Sequence, residues 1–76
     1  MSPYLPQIQS RDLVKVAKKL GFKEDRQKGS HLVLYREKDK SRVVIPIHSG
    51  RDIKPKTLRS IISDLKISIE EFKEQL

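Results

Sequence analysis

The sequence predicts an α+β fold in which helices cover one face of a three-stranded antiparallel sheet. Apolar residues recur at helical spacing in two separate segments. Two short runs lie between them and favour strands: 31–36 is rich in Leu, Val and Tyr, and 42–47 is rich in β-branched residues. Each helix has a single apolar stripe, so both are expected to pack on the same side of the sheet. The stripes are Leu13, Val16, Ala17 and Leu20, and Leu58, Ile61, Ile62 and Leu65.

Composition narrows the function classes. The chain has 76 residues, 17 Lys+Arg against 10 Asp+Glu and a net charge of +7, which indicates one small domain that attracts polyanions such as nucleic acid. A basic surface can also serve solubility alone or an acidic protein partner. Without cysteine there is no disulfide or thiolate metal site, and no metal or other cofactor is predicted. No apolar run approaches the roughly 20 residues of a membrane span, so a cytoplasmic protein is expected.

The N-terminal part is predicted to be an extended arm followed by the first helix. Residues 1–9 contain Pro3 and Pro6 and show no helical period, and residues 10–76 are expected to form a single domain. Ser10 is the predicted N-cap of the first helix. Gly21 is predicted to end that helix in a left-handed conformation.

The strands form a predicted meander. Phe22 to Gln27 is a weak edge strand ended by Gly29, His31 to Arg36 is a stronger strand, and Arg42 to Ile47 follows the polar turn 37–41. Pro46 has no N–H to donate, so the last strand should lie at an edge. Alternation favours Leu32 and Leu34 on the helix side and His31, Val33 and Tyr35 on the open side, with the reverse assignment as the alternative.

The C-terminal part is predicted to contain two helices. Pro55 marks the first turn of the second helix. Ser68 and Glu71 have the spacing of a capping box, and Ile67 and Phe72 that of a hydrophobic staple. A short extra helix is therefore expected over 69–76.

The candidate catalytic residue is His31. It follows the basic, glycine-hinged segment Arg26-Gln27-Lys28-Gly29-Ser30, and histidine can both take and give protons near pH 7. Cations beside such a group can stabilise negative charge on a phosphate. His48 could supply a second proton-transfer group, or it could bind backbone or phosphate, or have no role. A structural or merely exposed His31 is the alternative.

Two basic clusters are candidate RNA-binding sites. Arg26 and Lys28, with the Ser30 hydroxyl, precede the histidine, whereas Arg51, Lys54, Lys56 and Arg59 surround the start of the second helix. Exposed N–H groups at a helix N-terminus together with cations favour phosphate. A solvated face is the alternative for any single lysine. The acids Glu24, Asp25, Glu37 and Asp39 do not have the spacing of a metal site.

The chain resembles the HicA toxin family. The resemblance rests on Arg26-Gln27-Lys28-Gly29-Ser30-His31, on Val44-Ile45-Pro46-Ile47-His48 and on Pro55-Lys56-Thr57-Leu58-Arg59-Ser60-Ile61, with Leu5-Pro6 and Ile67-Ser68-Ile69-Glu70-Glu71-Phe72 similar to one branch. It implies a fold like the double-stranded-RNA-binding domain, α-β-β-β-α, and a metal-independent endoribonuclease (an mRNA interferase) with His31 essential. It also implies silencing by a HicB-type antitoxin. The turn 37–41 lacks the Asp-Gly expected in many members, which leaves the hairpin geometry open.

The open sheet face is the predicted antitoxin contact. With the leucines inward, Val33 and Tyr35 would lie around His31, and an acidic antitoxin could cover all three. Two other functions remain open from the sequence. One is a non-catalytic RNA-binding module that uses Lys54, Lys56 and Arg59 on phosphates. The other is a pure protein-interaction domain.

Overall fold

The computed structural model describes residues 5–76 and contains three helices and one sheet in this part of the chain. The elements are α1 (Ser10–Lys19), β1 (Lys23–Lys28), β2 (His31–Arg36), β3 (Ser41–Pro46), α2 (Pro55–Asp64) and α3 (Ile69–Glu74). The strands are antiparallel in the order β1-β2-β3. This confirms the α+β fold with α-β-β-β-α order and a short C-terminal helix. No helix in residues 5–76 is long and apolar enough to cross a membrane.

The segment before α1 is tied to the loop before α2. Residues 1–4 of the predicted arm lie outside the described residues, and 5–8 belong to no helix or strand. Ile8 is buried in the core, and its carbonyl accepts a hydrogen bond from the Ile53 N–H at 2.7 Å. Gln9 forms an isolated antiparallel bridge with Asp52. The start of α1 is therefore fixed against the loop that precedes α2.

Helix α1 begins one residue earlier than predicted. Gln9 is the N-cap, and its N–H donates to the Asp12 carboxylate at 3.2 Å, so the predicted N-cap role of Ser10 was wrong. Ser10 is buried instead, and its hydroxyl donates to the Pro46 carbonyl at 2.7 Å. The C-terminal prediction is confirmed. Gly21 has φ +95°, its N–H donates to the Lys18 carbonyl, and the helix ends there.

A two-residue turn joins β1 to β2. Lys28 pairs with His31, so only Gly29 and Ser30 lie between the strands, and Gly29 has φ +60°. All six β1 residues are exposed, as expected of a polar edge strand, and the register shifts between Glu24 and Arg26. The strand spans 23–28 rather than the predicted 22–27, because Phe22 is buried in the core.

The β2–β3 hairpin closes without an Asp-Gly pair. Lys40 takes the left-handed conformation, with φ 60°. The Arg36 guanidinium donates two hydrogen bonds to the Asp39 carboxylate, at 2.9 and 2.8 Å, and the Ser41 N–H adds a third at 3.2 Å. Hydrogen bonds from Arg36 and Ser41 hold the pKa of Asp39 well below its usual range. The hairpin geometry, which the missing Asp-Gly pair left open, is therefore stabilised by the contacts of Asp39 with Arg36 and Ser41.

The sheet faces are assigned as predicted. Leu32 and Leu34 are buried with Val43 and Ile45 of β3 and with the stripes of α1 and α2. His31 is exposed, and Val33 and Tyr35 are half-buried on the other face. Strand β3 lies at an edge, as Pro46 requires, although it spans 41–46 rather than 42–47. The helices therefore occupy one side and leave the histidine side open.

The last helix is fixed by the predicted capping box. The Glu71 N–H donates to the Ser68 hydroxyl and the Ser68 N–H donates to the Glu71 carboxylate, both at 3.0 Å. Phe72 is fully buried, and Ile67 packs against the core. The helix ends at Glu74, two residues before the predicted end.

Candidate active site

The tight β1–β2 turn places His31 at the first position of β2. Its cross-strand neighbours are Lys28 on β1 and Pro46 on β3, and both lie on the open face because directly opposed residues share a face. The imidazole is exposed. A substrate can therefore reach His31 from the side of the sheet that carries no helix.

His31 and His48 line the same cleft, which has a volume of about 520 Å³. This volume lies within the range of roughly 300–1,000 Å³ that small-ligand sites occupy. The sheet contributes His31, Val44 and Pro46, and the loop after β3 contributes His48, Arg51 and Lys54, with Asp52 as the acidic residue. The structure thus brings together the two proton-transfer candidates of the chain, with cations beside them.

Ser10 fixes the segment that carries His48. Its hydroxyl donates to the Pro46 carbonyl at 2.7 Å and accepts from the His48 N–H at 3.1 Å. Ser10 also lines the cleft, as does Thr57 of α2. Sequence reasoning missed both residues as parts of the site. A serine before an apolar stripe has the pattern of an N-cap, and nothing local indicates a bond to a carbonyl 36 residues away.

The N-terminus of α2 has no side-chain cap. The N-cap residue is Lys54, its side chain accepts no N–H, Pro55 follows, and the first turn contains no acidic residue. Helices α1 and α3 instead begin with carboxylates of Asp12 and Glu71. Free N–H groups and the positive end of the helix dipole favour an anion here. Lys54 lies at this end and lines the cleft.

The other predicted RNA-binding residues lie outside the cleft lining. Arg26 and Lys28 are exposed on β1, with Arg26 paired to Val33 and Lys28 paired to His31, so both belong to the open face. Lys56 and Arg59 are exposed on α2. Ser30 is exposed in the turn, and its carbonyl accepts from the Ile47 N–H at 2.6 Å. Of the cations in the two basic clusters, Arg51 and Lys54 therefore line the cleft, whereas the others lie on β1 and α2.

The cations near the cleft are not used in ion pairs within residues 5–76. The ion pairs found in this part of the chain involve Lys18, Arg36, Lys40, Arg42 and Lys66. Those of Arg36, Lys40 and Lys66 lie at the far end of the sheet, around the β2–β3 turn. No group of three His, Asp or Glu residues in the described chain is arranged to hold a metal ion.

The open face also carries the predicted antitoxin contacts. Val33 pairs with Val44, which is 44% exposed, and Tyr35 pairs with Arg42. The Arg42 guanidinium lies 5.2 Å from the centroid of the Tyr35 ring, whose hydroxyl donates to Glu37 at 3.2 Å. The result is a small apolar patch with a cationic border, continuous with His31.

The protein-family model described as HicA toxin of bacterial toxin-antitoxin matches residues 10–67. The chain belongs to the HicA toxin family. Membership gives it the role of toxin in a toxin–antitoxin pair and implies a HicB-type antitoxin as partner. The match spans α1 to the end of α2, with both histidines, and stops before α3. None of the curated proteins compared with the chain matches it.

Proposed function

We propose that this HicA-family toxin is an endoribonuclease that cleaves mRNA without a metal ion, with His31 as its essential proton-transfer residue. The observation that carries the proposal is the shared cleft, in which His31 and His48 lie among cations. Two histidines provide an acid and a base at the same phosphate, which is what cleavage of RNA by its own 2′-hydroxyl needs.

The proposed reaction needs two proton transfers. One histidine takes the proton of the ribose 2′-hydroxyl, whose oxygen attacks the adjacent phosphorus. The bond from phosphorus to the 5′-oxygen breaks, and the other histidine gives that oxygen a proton. The products are a 2′,3′-cyclic phosphate and a 5′-hydroxyl. Because DNA has no 2′-hydroxyl, it is not a substrate for this reaction.

The phosphate is held by the uncapped start of α2. Lys54 and Arg51 line the cleft, and the first-turn N–H groups of α2 have no side-chain acceptor. Charge that builds up on the phosphate oxygens during attack is stabilised by such fixed donors. Arg26 and Lys28 extend the positive surface along β1, while Lys56 and Arg59 contact more distant phosphates of the strand.

The antitoxin is proposed to silence the toxin by covering the open face. Tyr35 and Val33 offer an apolar contact beside His31, and the neighbouring cations suit an acidic partner. One protein lying there would block substrate from the histidine and neutralise Arg26 and Lys28.

Cleavage of a labelled single-stranded RNA in the presence of EDTA tests the enzymatic proposal. We expect cleavage with 2′,3′-cyclic phosphate ends, near-complete loss in His31→Ala and a smaller loss in His48→Ala. A requirement for Mg²⁺ or Mn²⁺, or efficient cleavage of DNA of the same sequence, would contradict the mechanism. RNA binding without cleavage by the wild-type chain would instead favour a non-catalytic RNA-binding module.

A further inference from the structure

A second cleft lies on the other side of Ser10 and His48. It has a volume of about 590 Å³ and runs between α1 and the loop after β3. Ser10 and His48 line both clefts, so these two residues form the boundary between them. The second cleft is thus adjacent to the proposed reaction site.

The walls of the second cleft combine apolar and cationic groups. Val14 and Ile47 are half-buried and pack against the core, so each offers a fixed apolar surface. Arg11 and Lys15 are exposed on α1 and, four residues apart, are neighbours on the helix surface. No acidic residue is among the described residues that line this cleft, whereas Asp52 lines the first one.

Arg11 and Lys15 differ from the next two lysines of the same helix. Lys18 forms an ion pair with Glu24 at 2.7 Å, and Lys19 donates to the Gln75 carbonyl at 2.8 Å. Within residues 5–76, Arg11 and Lys15 have no ion-pair or hydrogen-bond partner for their side chains. One helix therefore carries two cations that serve the fold and two that are available to an anion.

We propose that the second cleft binds the nucleotides beyond the two that flank the scissile phosphate, so that the RNA strand crosses His48 from one cleft to the other. This inference rests on the proposed function. An endonuclease cuts inside a strand, and its substrate must extend on both sides of the scissile phosphate. The apolar surface of Val14 and Ile47 suits a base, and Arg11 and Lys15 suit the backbone phosphates.

A charge-matched pair of variants tests the second cleft. Arg11→Gln with Lys15→Gln removes its cations, and Lys18→Gln with Lys19→Gln removes the same charge one turn further along the helix. Binding is measured with 2′-O-methyl oligonucleotides of two and six residues, which occupy the site but cannot be cleaved through the 2′-oxygen. Melting temperatures confirm that both variants are folded.

We expect Arg11→Gln with Lys15→Gln to weaken hexanucleotide binding by about tenfold and to lower the salt slope by about 1.4, since each lost single-strand phosphate contact removes roughly 0.7. Dinucleotide binding should be unchanged. In the wild-type chain, the amide resonances of Arg11 and Lys15, which line the second cleft and not the first, should shift with the hexanucleotide and not with the dinucleotide.

Equal hexanucleotide affinities of the two double variants would overturn the proposal. So would a loss of affinity for the purified antitoxin in place of RNA, which would make the second cleft a protein interface. Because the ligand is not cleaved, absence of RNA cleavage by the wild-type chain would contradict the enzymatic proposal and leave this binding test decisive.

Discussion

Lys54→Ser should make the protein more stable and a weaker RNA binder. Lys54 has φ −62° and ψ 142°, the extended conformation that an N-cap residue adopts, yet its side chain caps nothing. A serine hydroxyl at this position can accept the N–H of Lys56 or Thr57. Capping by serine in place of a non-capping residue is worth about 1 kcal/mol. For a domain of this size, that raises the melting temperature by roughly 4–8 °C.

The same substitution removes two features that favour phosphate. The cation is lost, and the hydroxyl occupies an N–H group at the positive end of α2. RNA affinity should fall, and the salt slope should decrease by about 0.7 if one single-strand phosphate contact is lost. Lys38→Ser is the matched control. It makes the same chemical change at an exposed position of the β2–β3 turn, and its stability effect should stay within about 0.5 kcal/mol.

Thermal unfolding and a salt titration of RNA binding, on both variants, provide the two readouts. Stabilisation with RNA binding equal to that of Lys38→Ser would refute the phosphate site at α2. An unchanged melting temperature would refute the cap geometry. If RNA affinity fell equally in both variants, the loss would come from the lower net charge and not from a phosphate site at α2.

Three further substitutions test separate parts of the structure. His31→Ala should lower RNA cleavage by about 10²–10⁴-fold and shift the free energy of unfolding by roughly 0.5 kcal/mol or less. A much lower melting temperature of the variant would show that His31 is structural. Full cleavage activity of the variant would contradict its catalytic role. Tyr35→Ala should weaken antitoxin binding by about 1–2 kcal/mol in a calorimetric titration. Raised salt should mainly slow association of the two proteins. An unchanged affinity would show that the antitoxin binds another surface. Asp39→Asn should lower stability in urea unfolding at pH 7, because the carboxylate pKa is depressed in the folded state. An unfolded aspartate titrates at about pH 3.9, so this stabilisation is complete above that pH and is lost as the pH falls towards the folded pKa. The gap between wild type and variant should therefore narrow below about pH 4, and a gap that widens in acid would contradict the ion pair.

The faces of the sheet could be predicted because strand alternation leaves only two choices. Leu32 and Leu34 needed a buried side, and only one side had helices with apolar stripes to meet them. The capping box of α3 could also be predicted, because Ser68 and Glu71 contact each other within one helical turn. The N-cap of α1 was predicted wrongly because the Ser10 hydroxyl bonds to the distant Pro46 carbonyl instead of its own helix.

The meeting of the two histidines could not be predicted, because it depends on strand register. Pro46 pairs with His31, and the Ile47 N–H continues the pairing with the Ser30 carbonyl. This contact keeps the chain beside β2 for one residue past the strand and brings His48 to the cleft of His31. The role of Ser10 depends on the same register, since its hydroxyl bonds to Pro46 and to His48.

The net charge of +7 is distributed unevenly over the protein, because several ion pairs lie at the β2–β3 turn. Asp39 holds Arg36 and Lys66 at the turn end of the sheet, and Glu37 holds Lys40 there. Carboxylates at that end stabilise the hairpin and reduce the local positive charge. At the cleft end, Arg51 and Lys54 have no such partner within residues 5–76. Their field is therefore available to the proposed RNA substrate and to the proposed acidic antitoxin alike. If both ligands use these cations, they must compete, and RNA should lower the apparent antitoxin affinity less as salt increases.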